Sequence, residues 1–263
     1  MTLFSDYHMH PQGHKHLPYT LELLQPWADH CRSVGITDFI FTDHDRYHPG
    51  INIDQVDLLQ EKNPDLSIGI GIELDNDPVT SKEGRAWVEK NWSRLDFVLG
   101  SVHYFSGEDK MFDSADQGGQ FERLGVEKAY ENYLAELSRM ISKGHIDGLA
   151  HLDLVKIHKY FLPGRDPADV FTPILEQIKK ADLSMELSTA GWRKPVGIQY
   201  PDLSIIKQAM AMGIPFTIAS DAHSHVQTGE NFPKLAEIIK EVGLQEVALY
   251  KKHKRTMVQL KGK

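Results

Sequence analysis

The sequence predicts a closed barrel of parallel strands, a (βα)7 fold of the α/β class, on three observations. Short apolar runs alternate with segments of helical spacing along the whole chain, in seven successive units. No linker or composition break divides residues 1–263, which read as one domain. Nearly every apolar run also ends in polar residues, mostly His, Glu or Asp, as expected where the C-terminal rim of a barrel carries the working groups. An open doubly wound sheet is the alternative, but no GxGxxG or phosphate-binding loop follows an early run.

The first unit opens with LFSDYHMHPQGHKH, residues 3–16, a short apolar run that at once presents His8, His10, His14 and His16. Residues two apart on a strand share a face, so His8 and His10 project together as a bidentate imidazole clamp suited to Zn, Fe, Ni or Cu. A surface pair is the plainer reading, and the downstream rims decide against it. Residues 20–34 have helical spacing, with Thr20 as N-cap, Glu22 in the first turn and Gly35 as C-cap; Pro26 should kink or delay this helix.

Strand ITDFIF (36–41) leads to Thr42-Asp43-His44-Asp45, and a helix follows over 53–62. Strand LSIGIGI (66–72) ends in Glu73, its glycines allowing close backbone approach. A helix over 82–92 precedes LDFVL (95–99) and Gly100-Ser101-Val102-His103. Residues 112–125 read as loop and 126–142 as a long amphipathic helix. IDGLA (146–150) runs into His151, Leu152 and Asp153, and residues 159–169 form a Pro- and Gly-bearing excursion. A helix over 170–181, strand LSMEL (183–187) and the segment STAGWRK (188–194) come next. A helix over 201–212 and strand IPFTIA (214–219) bring the chain to Ser220-Asp221-Ala222-His223. A last helix covers 234–242, and 247–250 is a short strand.

Composition bounds the function. A net charge of −8, from 29 basic and 37 acidic residues, leaves no basic face for a long nucleic acid. Cys31 is the only cysteine, which excludes a disulfide framework or a thiolate metal site and fits a reducing cytoplasm. The N-terminus shows no basic n-region with an apolar h-region. No apolar run approaches the roughly 18 residues of a membrane span, so neither secretion nor a membrane is expected.

A lone His after a strand is more often hydrogen-bonded structure than a ligand, and Asp221 alone would pass for a helix N-cap. Together the rim residues resist that reading. Imidazoles and carboxylates converging on one rim are costly to bury unless they hold metals. His8, His10, His14 or His16, His44, Glu73, His103, His151, Asp221 and His223 are too many for one tetrahedral ion and suit two or three, with Glu73 and Asp221 as bridging carboxylates. Clustered divalent ions of this kind make hydroxide at neutral pH and clamp phosphoryl oxygens.

The ordered set HxH, TDH, GIE, GSVH, AHLD and SDAH, from Asp6 to about Val226, resembles the polymerase-and-histidinol-phosphatase (PHP) superfamily of metal-dependent phosphoesterases. GSVHY, HLDLVK and ELSTAGWRKP resemble its histidinol-phosphatase branch. The resemblance implies a distorted TIM-like barrel whose C-terminal rim carries a trinuclear site of Zn, Fe or Mn, held by His8, His10, His44, Glu73, His103, His151, Asp221 and His223. It leaves His14 and His16 as alternatives, with His14 preferred. It places Arg193, and with it Lys194, beside the substrate phosphate, where a guanidinium fork suits phosphate oxygens. It implies hydrolysis of a small phosphate ester, best L-histidinol phosphate, by a hydroxide shared between metals, with inorganic phosphate as product.

Asp43 and His225 are candidates to supply the leaving-group proton, and Asp43 equally to orient His44. The substrate's ammonium calls for an acidic rim residue among Asp75, Asp77, Asp153 and Asp166. The chain departs from the family in following SDAH with Ser224-His225-Val226 rather than Pro-Glu, which bears on the substrate more than the chemistry. Alternatives are a related phosphatase or nuclease acting on another ester such as a nucleotide, or a non-catalytic metal-storing or regulatory barrel. An amidohydrolase-like barrel would want a Lys on a middle strand end, and none is seen. The sequence leaves the metal and the oligomeric state open.

Overall fold

The structure is a computed structural model that describes residues 3–260. Seven parallel strands follow chain order around one sheet: β1 (Ser5–Asp6), β2 (Asp38–Phe41), β3 (Ser67–Leu74), β4 (Phe97–Gly100), β5 (Gly148–Leu149), β6 (Ser184–Ser188) and β7 (Phe216–Ala219). The ring closes where the chain beyond β1 meets β7. Tyr7 N donates to Ile218 O at 2.9 Å and His10 N to Ala222 O at 2.8 Å. Asp6 reinforces the seam, its Oδ1 accepting from Ser220 N at 2.9 Å and its Oδ2 from Gly229 N at 3.3 Å. The result is the distorted (βα)7 barrel expected from the alternating units.

Helices α1 (Leu21–Val34), α2 (Ile53–Lys62), α3 (Ser81–Asn91), α4 (Gly119–Leu124), α5 (Val126–Lys143), α6 (Pro167–Lys180), α7 (Leu203–Ala211) and α8 (Phe232–Val242) surround the strands. Their starts follow local chemistry. Thr20 Oγ1 accepts from Leu23 N, and Gly35 ends α1 with φ +81°. Pro26 does not delay α1, which buries Leu24, Trp27, Ala28 and Cys31 against the strands. Helix α6 begins three residues before the expected Val170, because Asp166 caps it and Pro167 suits the first turn. The expected loop over 112–125 contains α4, which buries Phe121 beside Phe105 and Phe112. No helix among the described residues is long and apolar enough to cross a membrane.

Inside the ring, alternation along β3 decides what reaches the rim. Gly69, Gly71 and Glu73 share the inward face. A Cβ on Gly71 would lie 2.2 Å from Phe97 O and 3.1 Å from Ile40 Cγ2, so only glycine lets β4 pair this closely. The opposite end of the barrel is plugged by an antiparallel hairpin, β8 (Glu246–Lys251) and β9 (Lys254–Gln259), where the sequence promised one short strand. Tyr250 and Ala248 pack among Tyr7, Ile40, Phe97 and Leu99 in the barrel interior. Tyr250 N donates to Tyr7 Oη at 3.0 Å, and Tyr7 Oη donates to Asp38 Oδ1 at 2.6 Å. The His253 ring stacks on Trp92 at 3.6 Å and pairs with Asp147 at 2.8 Å.

Candidate metal centre

The strand ends deliver their side chains to one buried point, and Glu73 is its hub. His44 Nδ1 stands 2.8 Å from Glu73 Oε2, His8 Nε2 3.2 Å and His10 Nε2 3.5 Å. On the other oxygen, Oε1, His151 Nε2 lies at 3.1 Å and His103 Nε2 at 3.3 Å. Asp221 Oδ1 meets His10 Nε2 at 3.2 Å, His223 Nδ1 at 3.5 Å and His8 Nε2 at 3.8 Å. Each carboxylate therefore touches imidazoles from several strands, the arrangement of a bridging ligand. Asp75, named from the sequence only as an ammonium partner, reaches the same cluster, 3.5 Å from His44 Nδ1 and 3.9 Å from His103 Nε2.

The donor chemistry fits divalent ions. His10–His44–His223, His8–His10–Glu73, His44–Asp75–His103 and Glu73–His103–His151 each bring their donor atoms within 4.8 Å of one another. Among the described residues, the buried His8 Nε2, both ring nitrogens of His10, His44 Nδ1, Glu73 Oε2 and His223 Nε2 find no hydrogen-bond partner. Unsatisfied buried nitrogens and oxygens are costly, and their convergence is explained by cations that they coordinate. Backbone strain marks the same place: His14 (φ 63°), His151 (φ 23°) and Asp221 (φ 52°) lie in the left-handed region that side-chain-bearing residues seldom adopt. Gly13 has φ 53°, and a Cβ there would lie 2.8 Å from His223 O, so glycine lets the first loop close on the cluster.

Electrostatics divides the donors: Glu73, His10 and His44 are held toward the deprotonated form, whereas, against burial, Glu186, Glu73 and Asp221 raise His8 well above its ordinary value and Asp75 and Asp113 raise His103. Burial would favour a protonated Glu73, yet His44, His8, His103 and His151 outweigh it and hold its pKa well below the usual range. Burial together with the neighbouring His223 and His44 pulls His10 well below its ordinary value, keeping that imidazole neutral. His44 is pulled down as well, chiefly by burial.

A further layer fixes the rings. Glu186 Oε1 lies 2.6 Å from His8 Nδ1, and its Oε2 accepts from His151 N at 3.0 Å. Asp113 Oδ2 lies 3.1 Å from His103 Nδ1. Carboxylates on the far nitrogen set tautomer and orientation of a ligating His. Asp43 lies behind His10, 3.7 Å from Nδ1 and beyond hydrogen-bond distance, while it accepts from Gln12 N and from Tyr19 Oη at 2.8 Å. Burial pushes its carboxyl up to about 7, against the hydrogen bonds from Tyr19 and Gln12.

The remaining expected residues separate. His14 lies against the cluster, its ring 4.1 Å from that of His223 and 5.5 Å from His44; His16 packs on Tyr47 instead. Arg193 donates through Nη2 to the carbonyls of Ser220 and Asp221, and its Nη1 stands 3.5 Å from Glu230 Oε2. His225 turns away from the cluster toward α1, its ring 6.4 Å from Trp27 and 6.1 Å from His30. Asp77 caps the turn at Val79 and Thr80, Asp153 is buried against Lys156 at 2.7 Å, and Asp166 caps α6.

No family model matches the chain. Over 260 residues, 92% of this chain and 95% of the other, it is 29% identical to the "Probable histidinol-phosphatase" of Deinococcus radiodurans. The two proteins are homologues. A crystal structure of histidinol phosphate phosphatase from Lactococcus lactis, complexed with zinc, L-histidinol and phosphate, matches with a TM-score of 0.75 at 21% identity. That match covers 96% of this chain and 98% of the other, and it establishes the shared fold. An adenine deaminase from Arthrobacter aurescens matches with a TM-score of 0.50 at 10% identity, over 91% of this chain and 89% of that one. The barrel by itself therefore does not choose the reaction; the residues on its rim must.

Sequence reasoning missed Glu186, Asp113 and Arg46, which joins the site through Asp75. For Glu186 a signal existed: Ser184, Glu186 and Ser188 form a polar alternation inside an apolar strand, one whole face of β6 turned to the barrel interior. Asp113 gave none, because its loop has no period.

Proposed function

We propose that this protein is a metal-dependent phosphomonoesterase that hydrolyses L-histidinol phosphate to L-histidinol and phosphate, a reaction of histidine biosynthesis, and that it works in the cytoplasm. The observation that carries the reading is the Glu73 hub, one buried carboxylate shared by five imidazoles from four strand ends. The homologue's name and the zinc, histidinol and phosphate in the Lactococcus structure support the choice of substrate.

Two or three divalent ions, Zn, Fe or Mn, would be held by His8, His10, His44, Glu73, His103, His151, Asp221 and His223, with Asp75 and His14 at the edge. Ions so placed supply Lewis acidity to phosphoryl oxygens and an acidified water as nucleophile at neutral pH. The chain's own residues do the rest. Glu186 and Asp113 hold the rings of His8 and His103 in the ligating orientation, and Asp43 lies behind the ring of His10. Arg193 braces the Asp221 backbone and presents Nη1 toward an anion, and Lys194 adds charge on the same turn. Charge on the equatorial oxygens is neutralised by these fixed cations, as phosphoryl transfer requires. In the balanced reaction water adds to phosphorus, the ester P–O bond breaks and the departing alkoxide takes up a proton. With Asp43 enclosed behind His10 and His225 against α1, that proton is assigned to solvent at the mouth rather than to either side chain.

The deciding experiment is phosphate release from L-histidinol phosphate, beside p-nitrophenyl phosphate and a 3′-phosphonucleotide, on protein of known metal content. Strong preference for histidinol phosphate supports the full reading. Turnover of only the other esters keeps the chemistry and discards the substrate. No turnover with metals bound removes the enzyme reading in favour of a metal-storing or regulatory barrel.

A further inference from the structure

We propose that Arg46 is a second phosphate-binding arm, facing Arg193 across the mouth of the barrel, and that it selects phosphomonoesters over phosphodiesters. The inference rests on the phosphatase reading above. Arg46 follows β2, directly after His44 and Asp45, whereas Arg193 follows β6. In a seven-stranded ring closed between β1 and β7, those two strands stand on opposite sides.

Arg46 is not a loose surface cation. Its side chain is only 15% exposed, its Nη1 donates to Asp75 Oδ2 at 2.9 Å, and its guanidinium carbon lies 5.3 Å from the centre of the Tyr47 ring. The same Asp75 oxygen stands 3.5 Å from His44 Nδ1, so the guanidinium is one carboxylate removed from the candidate ligands. Asp75 engages one edge of a planar fork that carries five N–H donors, which leaves donors for a second anion.

The geometry fits one class of ester best. A monoester phosphate carries two negative charges and three non-bridging oxygens, enough to meet the metals and both arms. A diester has one charge and two such oxygens, and its second substituent would stand where one arm binds. Arg46 thus contributes to monoester and orthophosphate binding and little to diesters.

The test uses metal-loaded wild type, Arg46→Gln and Arg46→Lys, with bound metal assayed in each. Orthophosphate affinity is measured by calorimetry, and kcat/KM is compared for p-nitrophenyl phosphate and bis(p-nitrophenyl) phosphate. Loss of a charge-assisted hydrogen bond predicts a drop of about ten- to a hundredfold in R46Q for both orthophosphate affinity and monoester kcat/KM. Diester turnover should stay within about threefold and metal content should be unchanged. R46K keeps the pairing with Asp75 but not the fork, so it should fold and fall between the two; it decides the matter if R46Q does not fold. Wild-type phosphate affinity in R46Q, or loss of metal from both variants, overturns the proposal, the latter in favour of a holding role through Asp75. If wild type neither binds phosphate nor turns over a monoester, the phosphatase reading itself fails.

Discussion

Glu73 is the side chain on which the centre depends. Its two oxygens face different groups of imidazoles, and no other residue could replace both contacts. Glu73→Ala is therefore expected to lose bound metal and turnover together, and full metal content with full activity in that variant would remove Glu73 from the site. Glu186 acts one bond further out. Because it fixes the His8 ring at 2.6 Å without reaching the substrate, Glu186→Gln should weaken metal binding by about ten- to a hundredfold. Competition with a chelator measures this, and an unchanged affinity would show that His8 orients itself. At this scale the convergence was most legible where candidate donors end apolar runs, as at His44, His103, His151 and Asp221. The sequence was silent where a donor's partner arrives from elsewhere. Asp113 lies ten residues from His103 in an irregular loop, and only the folded chain brings them to 3.1 Å.

At the scale of elements, the βα alternation was readable because seven strands bury both faces and leave nearly unbroken apolar runs. The cap at Thr20 was readable, whereas Asp166, whose side chain caps α6, was not, because it lies inside a stretch that reads as a Pro- and Gly-bearing excursion. Helix α4 and strand β9 were not readable either. The first is one and a half turns held by Phe121, and the second has polar residues on its outer edge, KRTMVQ, with burial supplied by its partner. Yet the hairpin has a measurable role. Tyr7 Oη accepts from Tyr250 N and donates to Asp38, so Tyr7→Phe leaves a buried amide without its partner. The expected cost is about 1–3 kcal/mol in denaturant unfolding, with metal content unaffected. A change below about 0.5 kcal/mol would mean that the hairpin seals the barrel by apolar packing alone.

For the whole molecule, the seam between the first and last strands carries a pH signature. Burial raises the Asp6 carboxyl to about 6 from 3.8, against hydrogen bonds from Ser220, His8 and Gly229. A raised folded pKa means that between about 4 and 6 the folded state holds more protons than the unfolded one, so this group's contribution to stability falls as pH rises through that window and is level above it. Asp6→Asn cannot titrate. In metal-free protein its stability relative to wild type should therefore rise between pH 4 and 6, by up to about 3 kcal/mol. Parallel unfolding profiles for the two proteins would show that Asp6 does not titrate there.

That seam also sets an order of events. The residues it joins, Asp6 and Ser220, are separated by 214 positions, and the candidate donors His8 and Asp221 lie almost as far apart in the chain. On the ribosome the first histidines emerge before any partner, His44 and Glu73 follow early in the chain, and Asp221 and His223 come more than 200 positions after His8. A nascent chain thus offers an incomplete set of donors to passing ions. The full set of donors forms in one late event, when the seventh strand docks beside the first.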